Sequence, residues 1–330
     1  TNFQKFFLIN QKLIIILMKN KPILIVAGEP KSIFFEILFK SFKKNKFKNP
    51  IILIASLKLV KFEMKKFRFK KSIKLLNFKN LDILKLNNSS LNIINVNLDY
   101  KKTDIYIKNC FDIGFKLLND KLTNKFINGP INKSNFLNKK IPGITEYISN
   151  RFNTKKNAML IYNEKLSVCP LTTHLPLKLV SKKISQKLIK QKTILIDNFF
   201  KKVIGFRPKI AVTGLNPHCE SFLKYNEDNK IIKPSIKKLK KNGYKIYGPF
   251  SADTIFLKQN RKKYHVILGM YHDQVLAPLK TLKEYDAINI TLGLPFYRVS
   301  PDHGPNEKML NKNLSTPVSL IKAIKFLDKR

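Results

Sequence analysis

Three of the five histidines in this chain share one kind of setting. His174 follows the apolar run "SVCPLTT", His218 follows "IAVTGLNP", and His272 follows "HVILGMY". Each run reads as a β-strand, which places each imidazole at a strand's C-terminal end. Ligands gather there in α/β sheets, because loops converge and the strand ends hold their side chains rigidly. Three imidazoles meeting at one point could bind a divalent metal and leave positions open for substrate. The other reading is that each is a hydrogen-bonded loop residue, as a lone strand-end histidine commonly is. His265 opens a strand and reads as structural, while His303, in "SPDHGP", sits in a loop. Cys219, beside His218, is a further candidate ligand as a thiolate.

A second group of residues is cationic and polar. Lys280 lies eight residues after His272, Asn289 falls within a strand, and Arg298 stands just beyond "TLGLPFY". Arg298 is one of only six arginines in a chain otherwise rich in lysine. A bidentate contact to a carboxylate or phosphate would account for it; a surface ion pair is the alternative. The loop "NGPINK" (128–133) adds Lys133 and exposed backbone amides, a candidate anion site. Neither GxGxxG nor GxxxxGK[ST] occurs, so no Rossmann fingerprint or P-loop is claimed.

Short apolar runs alternating with helical patterns position these residues. Strands are expected at 22–27, 50–56, 126–130, 158–163, 166–173, 208–214, 265–270 and 287–293. Helices are expected from about Ile33 to Phe42, over 103–120, from "NKSNFLNK", over a long stretch from Leu177 to Lys202, and over 316–329. The segment 60–90 is Lys/Phe-rich and gives no clear element. This alternation indicates an α/β protein with mostly parallel pairing.

A length of 330 residues and a hydrophobic content of 44% predict two domains with sizeable cores and exclude a disordered chain. The net charge of +43 suggests a nucleic-acid binder. It is carried almost wholly by lysine, however, and the excess of Lys, Asn, Ile and Phe has a common source in AT-rich codons. The charge therefore reads as a solvated basic surface, with no specific nucleic-acid partner. Eleven glycines are few, so asparagine must serve at turns that need positive φ. Cys110, Cys169 and Cys219 form no CxxC pair, which predicts no disulfide framework and a reducing cytoplasm. The apolar run from Leu13 to Leu17 is too short to span a bilayer, so no membrane association is expected. Residues 1–17, which precede Met18, are expected to be an upstream extension.

From Pro22 onward the chain resembles the 4-hydroxythreonine-4-phosphate dehydrogenase family of pyridoxal phosphate (vitamin B6) biosynthesis. The resemblance is carried by "AGEP" (27–30), "NGPINK" (128–133), "GITEYI" (143–148), "TTHLPL" (172–177), "GLNPH" (214–218), "GPFSADTIF" (248–256), "YHDQ...LK" (271–280) and "NITLGLPFYRVSPDHG" (289–304). It implies an α/β, isocitrate/isopropylmalate dehydrogenase-like two-domain fold, with mostly parallel sheets and an active-site cleft between the domains. Residues 18–141 plus 280–330 would form the cofactor-side domain, and 142–279 the domain with the metal site and dimer interface. His174, His218 and His272 would ligate a divalent metal (Zn, Mg or Co), contributed across a homodimer with its active site at the interface. Thr145, Lys280, Asn289 and Arg298 would bind substrate. Asp253, Asp273 and Lys280 would be catalytic, the two aspartates in supporting or proton-transfer roles. Asp302, His303 and Gly304 would border the NAD or NADP cofactor. The implied activity is oxidation and decarboxylation of 4-phosphonooxy-L-threonine to 3-amino-2-oxopropyl phosphate.

The chain departs from the family pattern in several places. Ile144 stands where the family has a substrate-binding histidine, and "CESFLKYNED", "KSIFFE" and "PNEKML" replace segments that are glycine-rich or small in the family. Two other readings follow from these departures. One is a paralogous decarboxylating dehydrogenase acting on another phosphorylated hydroxy acid, such as a phosphorylated threonate or erythronate. The other is an inactive basic protein that binds nucleic acid.

Overall fold

The computed structural model describes residues 21–132, 143–220, 226–301 and 304–330. The expected extension over 1–17, most of "NKSNFLNK", and Lys133, Asp302 and His303 lie outside these residues. The chain divides into two compact units, one of Thr1–Lys139 with Pro295–Arg330 and one of Lys140–Leu294.

In the first unit, β1 (Ile23–Val26), β2 (Ile51–Ala55), β3 (Ile73–Leu75), β4 (Leu91–Asn95) and β5 (Lys125–Asn128) lie in the order β3-β4-β2-β1-β5. All these pairings are parallel. β1 and β2 are buried along their whole length. Such strands read as unbroken apolar runs because both faces are covered. The covering helices include Phe34–Lys44 and Thr103–Asn119. Strand order reverses beside β1, whose two neighbours are β2 and β5. There the loops "AGEP" and "NGP" interlock: Glu29 N donates to Pro130 O at 2.8 Å, and Gly129 N donates to Val26 O at 2.7 Å. A Cβ on Gly129 would lie 2.1 Å from Ala27 O, so only glycine permits this approach.

In the second unit, β6 (Ala158–Tyr162), β7 (Ser167–Thr172), β8 (Ile210–Thr213), β9 (Ile246–Phe250), β10 (Val266–Tyr271) and β11 (Ile288–Leu292) lie in the order β11-β6-β7-β10-β8-β9. The β7-β10-β8-β9 run is parallel, and β6 runs antiparallel to both β7 and β11. The core of this unit includes Ile161, Val168, Ile267, Val275 and Leu279. The chain then returns to the first unit, where β12 (Tyr297–Pro301) pairs in parallel with β5 and the Val318–Asp328 helix packs against it.

The α/β class with mostly parallel pairing is thus the one expected. Several details differ. The single helix expected over 177–202 is broken: Ser185 is extended and its side chain accepts from Leu188 N, starting a separate Gln186–Phe199 helix. Serine favours this capping role over helix interior. The unassigned segment 60–90 holds the end of the Leu57–Lys66 helix, β3 and a short turn of 3₁₀ helix. The chain leaves the second unit after Leu294, not after 279, because β11 pairs with β6 and the His272–Lys283 helix packs on β7 and β10. Asparagine does occupy left-handed backbone, at Asn153, Asn306, Asn311 and Asn313. Among the described residues no helix is long and apolar enough to cross a membrane.

Candidate functional site

β7 and β10 are parallel neighbours whose register pairs Thr172 with Tyr271. His272 follows Tyr271 directly and His174 lies two residues after Thr172, so the sheet itself brings them together. Their ring centroids lie 6.3 Å apart, with the planes tilted by 35°. His272 is the first residue of the His272–Lys283 helix, and its Nδ1 lies 2.7 Å from Asp273 Oδ1. His174 Nδ1 lies 3.7 Å from Glu146 Oε1, an ion-pair distance beyond hydrogen bonding. At His272 the Asp273 carboxylate at Nδ1 favours the tautomer that leaves Nε2 as the ligating nitrogen, the usual arrangement behind a metal-binding imidazole. Glu146 is too far from His174 Nδ1 to fix its tautomer in the same way.

His174 also has a left-handed backbone, φ 48°. Residues other than glycine adopt this region at a cost, and they cluster at functional sites. Gly143 opens the space beside it: a Cβ there would lie 2.6 Å from Glu146 Oε2 and 2.9 Å from His174 Cε1.

His218 follows β8, the other neighbour of β10, in a turn where both it and Cys219 have positive φ (56° and 61°). The turn is anchored by Asp228, which is fully buried. Its carboxylate accepts from Leu215 N at 2.9 Å, Asn216 N at 3.1 Å and Asn216 Nδ2 at 2.8 Å. Cys219 is buried, and burial first and Asp228 second push its thiol up, which disfavours the thiolate form. Among the described residues of the single chain, no three His, Cys, Asp or Glu side chains gather closely enough to hold a metal ion. The structure therefore brings His174 and His272 together and leaves His218 outside that pair. The two imidazoles with their carboxylates have the donor chemistry of half a divalent-metal site.

The polar candidates are distributed as follows. Thr145 is buried on the Ile144–Arg151 helix, the helix that also carries Glu146. Asn289 lies on β11 opposite Ile161, and its Oδ1 is buried without a hydrogen-bond partner among the described residues. An orphaned buried acceptor is uncommon, and a bound donor is one explanation. Lys280 is exposed two turns below His272 on the same helix. Asp253 is exposed on the short Ala252–Ile255 helix. Arg298, in the first unit, is 1% exposed on β12. Gly304 is exposed, and a Cβ there would meet nothing within 4 Å.

Three contributors went unrecognised in the sequence. Asp228 holds the His218 loop. Gln274 accepts from Thr213 Oγ1 and Met270 N and donates to Gly214 O. Glu29, in the interlocked loops of the first unit, is buried, with Oε2 unpartnered among the described residues and its carboxyl pushed up chiefly by burial. A polar group of this kind at a strand-order reversal fits a ligand that supplies a donor, as a nicotinamide dinucleotide can. The dipeptide "EP" gave no sign of this, since burial is not visible in it.

The chain matches the family model described as "Pyridoxal phosphate biosynthetic protein PdxA" over residues 42–327. The 4-hydroxythreonine-4-phosphate dehydrogenase of Sulfurihydrogenibium sp. (strain YO3AOP1) is 35% identical over 318 residues, spanning 92% of this chain and 96% of that protein. The D-threonate 4-phosphate dehydrogenase of Pectobacterium atrosepticum is 40% identical over 164 residues, 49% of this chain and 50% of its own length. A crystal structure of 4-hydroxythreonine-4-phosphate dehydrogenase from Klebsiella pneumoniae superposes with a TM-score of 0.78 at 26% identity, covering 93% of this chain and 98% of that one.

Proposed function

Because this chain belongs to the pyridoxal phosphate biosynthetic protein PdxA family, we propose that it is a metal-dependent, NAD(P)-linked dehydrogenase that oxidises and decarboxylates 4-phosphonooxy-L-threonine to 3-amino-2-oxopropyl phosphate. The observation that carries the reading is the His174–His272 pair, with Asp273 hydrogen-bonded at His272 Nδ1 and Glu146 3.7 Å from His174 Nδ1. His174, His218 and His272 would hold the cation, with a second copy of the chain completing the set. A divalent cation held there would supply Lewis acidity at the substrate's hydroxyl oxygen, and a nicotinamide cofactor would supply the hydride acceptor.

The chain's own residues do the rest. Asp273 keeps His272 in one tautomer and orientation. Thr145 and Asn289 offer hydrogen bonds to substrate, and the orphaned Asn289 Oδ1 suits a donor such as the substrate's ammonium group. Lys280 and Arg298 meet the phosphate and carboxylate as a mobile point charge and a rigid fork respectively. Asp253 and Lys280 are the proposed proton carriers. Asp302, His303 and Gly304 are the proposed cofactor border, together with Glu29. A cytoplasmic location belongs to the same reading, supported by the three free cysteines.

The test is NADH or NADPH formation from 4-phosphonooxy-L-threonine with added divalent metal. The wild type should turn over, and His272→Ala should lose at least about a hundredfold in kcat/KM, the scale of a lost electrostatic contributor. Full activity in His272→Ala would overturn the assignment. A second substrate reading rests on Ile144 and on the Pectobacterium match: a phosphorylated threonate, which carries a hydroxyl in place of the amine. The ratio of kcat/KM for the two substrates decides between them.

A further inference from the structure

Gln274 lies two residues after His272, yet its side chain turns back to the sheet. Its Oε1 accepts from Met270 N and from Thr213 Oγ1, both at 2.7 Å. Its Nε2 donates to Gly214 O at 2.8 Å. One amide thus joins the end of β10, two residues before His272, to the end of β8, four and five residues before His218. The Met270 peptide is held from its other side too, because Thr172 Oγ1 donates to Met270 O at 2.8 Å. Thr172 ends β7, two residues before His174. Thr172, Thr213 and Met270 are all buried, so these bonds lie where water competes little.

We propose that Gln274 is a positioning residue that sets the spacing of the three strand ends bearing His174, His218 and His272. The inference rests on the metal-site reading above. It explains why glutamine stands here. The position needs an acceptor for two donors and a donor for one carbonyl on the same small group, and a primary amide supplies both. Glutamate offers no donor to Gly214 O, and methionine offers neither function. Partners bonded directly to a ligating histidine change metal affinity by about 10- to 100-fold when removed. Gln274 acts through the strand ends, so the loss should lie at about the lower end of that range.

The experiment uses the full chain with Co²⁺ as probe, read by its visible absorption bands, and urea denaturation alongside. Wild type should bind Co²⁺, and His272→Ala should not. Gln274→Met should weaken binding by about tenfold and shift the bands. Thr213→Val should weaken binding, while Thr213→Ser, which keeps the hydroxyl, should restore it. The Thr213→Val/Gln274→Met double variant should be no weaker than Gln274→Met alone, since the two share one bond. Should Gln274→Met fail to fold, the Thr213 pair still decides. Wild-type affinity and spectrum in both Gln274→Met and Thr213→Val, with binding lost in His272→Ala, would overturn the role of Gln274 while leaving the metal site standing. No Co²⁺ binding by the wild type would remove both.

Discussion

Arg298 Nε donates to Asn128 Oδ1 at 2.9 Å, with the arginine only 1% exposed. The bond ties β12 to the end of β5 across 170 positions of chain. Asn128 Nδ2 also donates to Gly129 O at 2.9 Å, so one side chain sets both the guanidinium and the "NGP" loop. Asn128→Ala leaves that buried N–H without this acceptor, which should lower stability by about 1–3 kcal/mol. Urea denaturation measures it. Arg298→Lys keeps the charge but loses the fork. It should raise KM for the phosphorylated substrate by about tenfold, the loss expected for one charge-assisted hydrogen bond.

Gly143 tests the space beside His174. Its φ of −167° suits any residue, so substitution brings no backbone strain. The new methyl would instead push on Glu146 and His174. Gly143→Ala should therefore weaken Co²⁺ binding by about tenfold, the scale seen when the support of a ligating histidine is disturbed. Its Tm should stay near that of the wild type. An unchanged Co²⁺ affinity would show that Glu146 and His174 do not act together.

His265 predicts an acid-side loss of stability. Lys209 N donates to His265 Nδ1 at 2.9 Å, which only the neutral ring can accept. Burial first, then Lys209 and Lys245, hold its pKa below the ordinary value. The folded state thus takes up this proton less readily than the unfolded chain. The stabilisation is complete above the unfolded value of about 6.5 and is lost as pH falls from there through the lower folded value. Between pH 7.5 and pH 5.0, wild type should lose more stability than His265→Asn, whose amide oxygen accepts without titrating. Equal losses by chemical denaturation would contradict this account.

Lys125 is 1% exposed, and its Nζ has no hydrogen-bond partner among the described residues. Burial lowers its pKa more than nearby Asp328 raises it. Asp328 is separately satisfied by the amides of Lys48 and Asn49. Lys125→Met should therefore stabilise the protein, by on the order of 1 kcal/mol at neutral pH. The gain should shrink as pH rises toward the ordinary lysine range, where both states of the wild type shed the proton. Melting curves at pH 7 and pH 9.5 check both statements.

The strand-end placement of the histidines was legible because each follows an apolar run, and β7, β8 and β10 formed as read. Which two would meet was not legible, since it depends on strand order: β10 lies between β7 and β8 although it comes last of the three. β9 was missed because "IYGPF" carries a Gly-Pro pair and is fully buried only at Ile246. The His272–Lys283 helix was obscured by Pro278 in its interior and by starting directly after a strand. Gln274 could not be singled out from sequence, because two of its three partners, Thr213 and Gly214, lie 61 and 60 positions away.

The second unit is one continuous stretch of sequence, Lys140–Leu294, inserted between the two segments of the first. As the nascent polypeptide emerges from the ribosome, this inner module has all its strands before β12 and the Val318–Asp328 helix have been synthesised. The outer module must meanwhile leave uncovered the apolar surfaces on Phe34–Lys44, β1 and β5 that this last helix covers. The histidine-bearing half is thus complete in sequence before the half that holds Arg298.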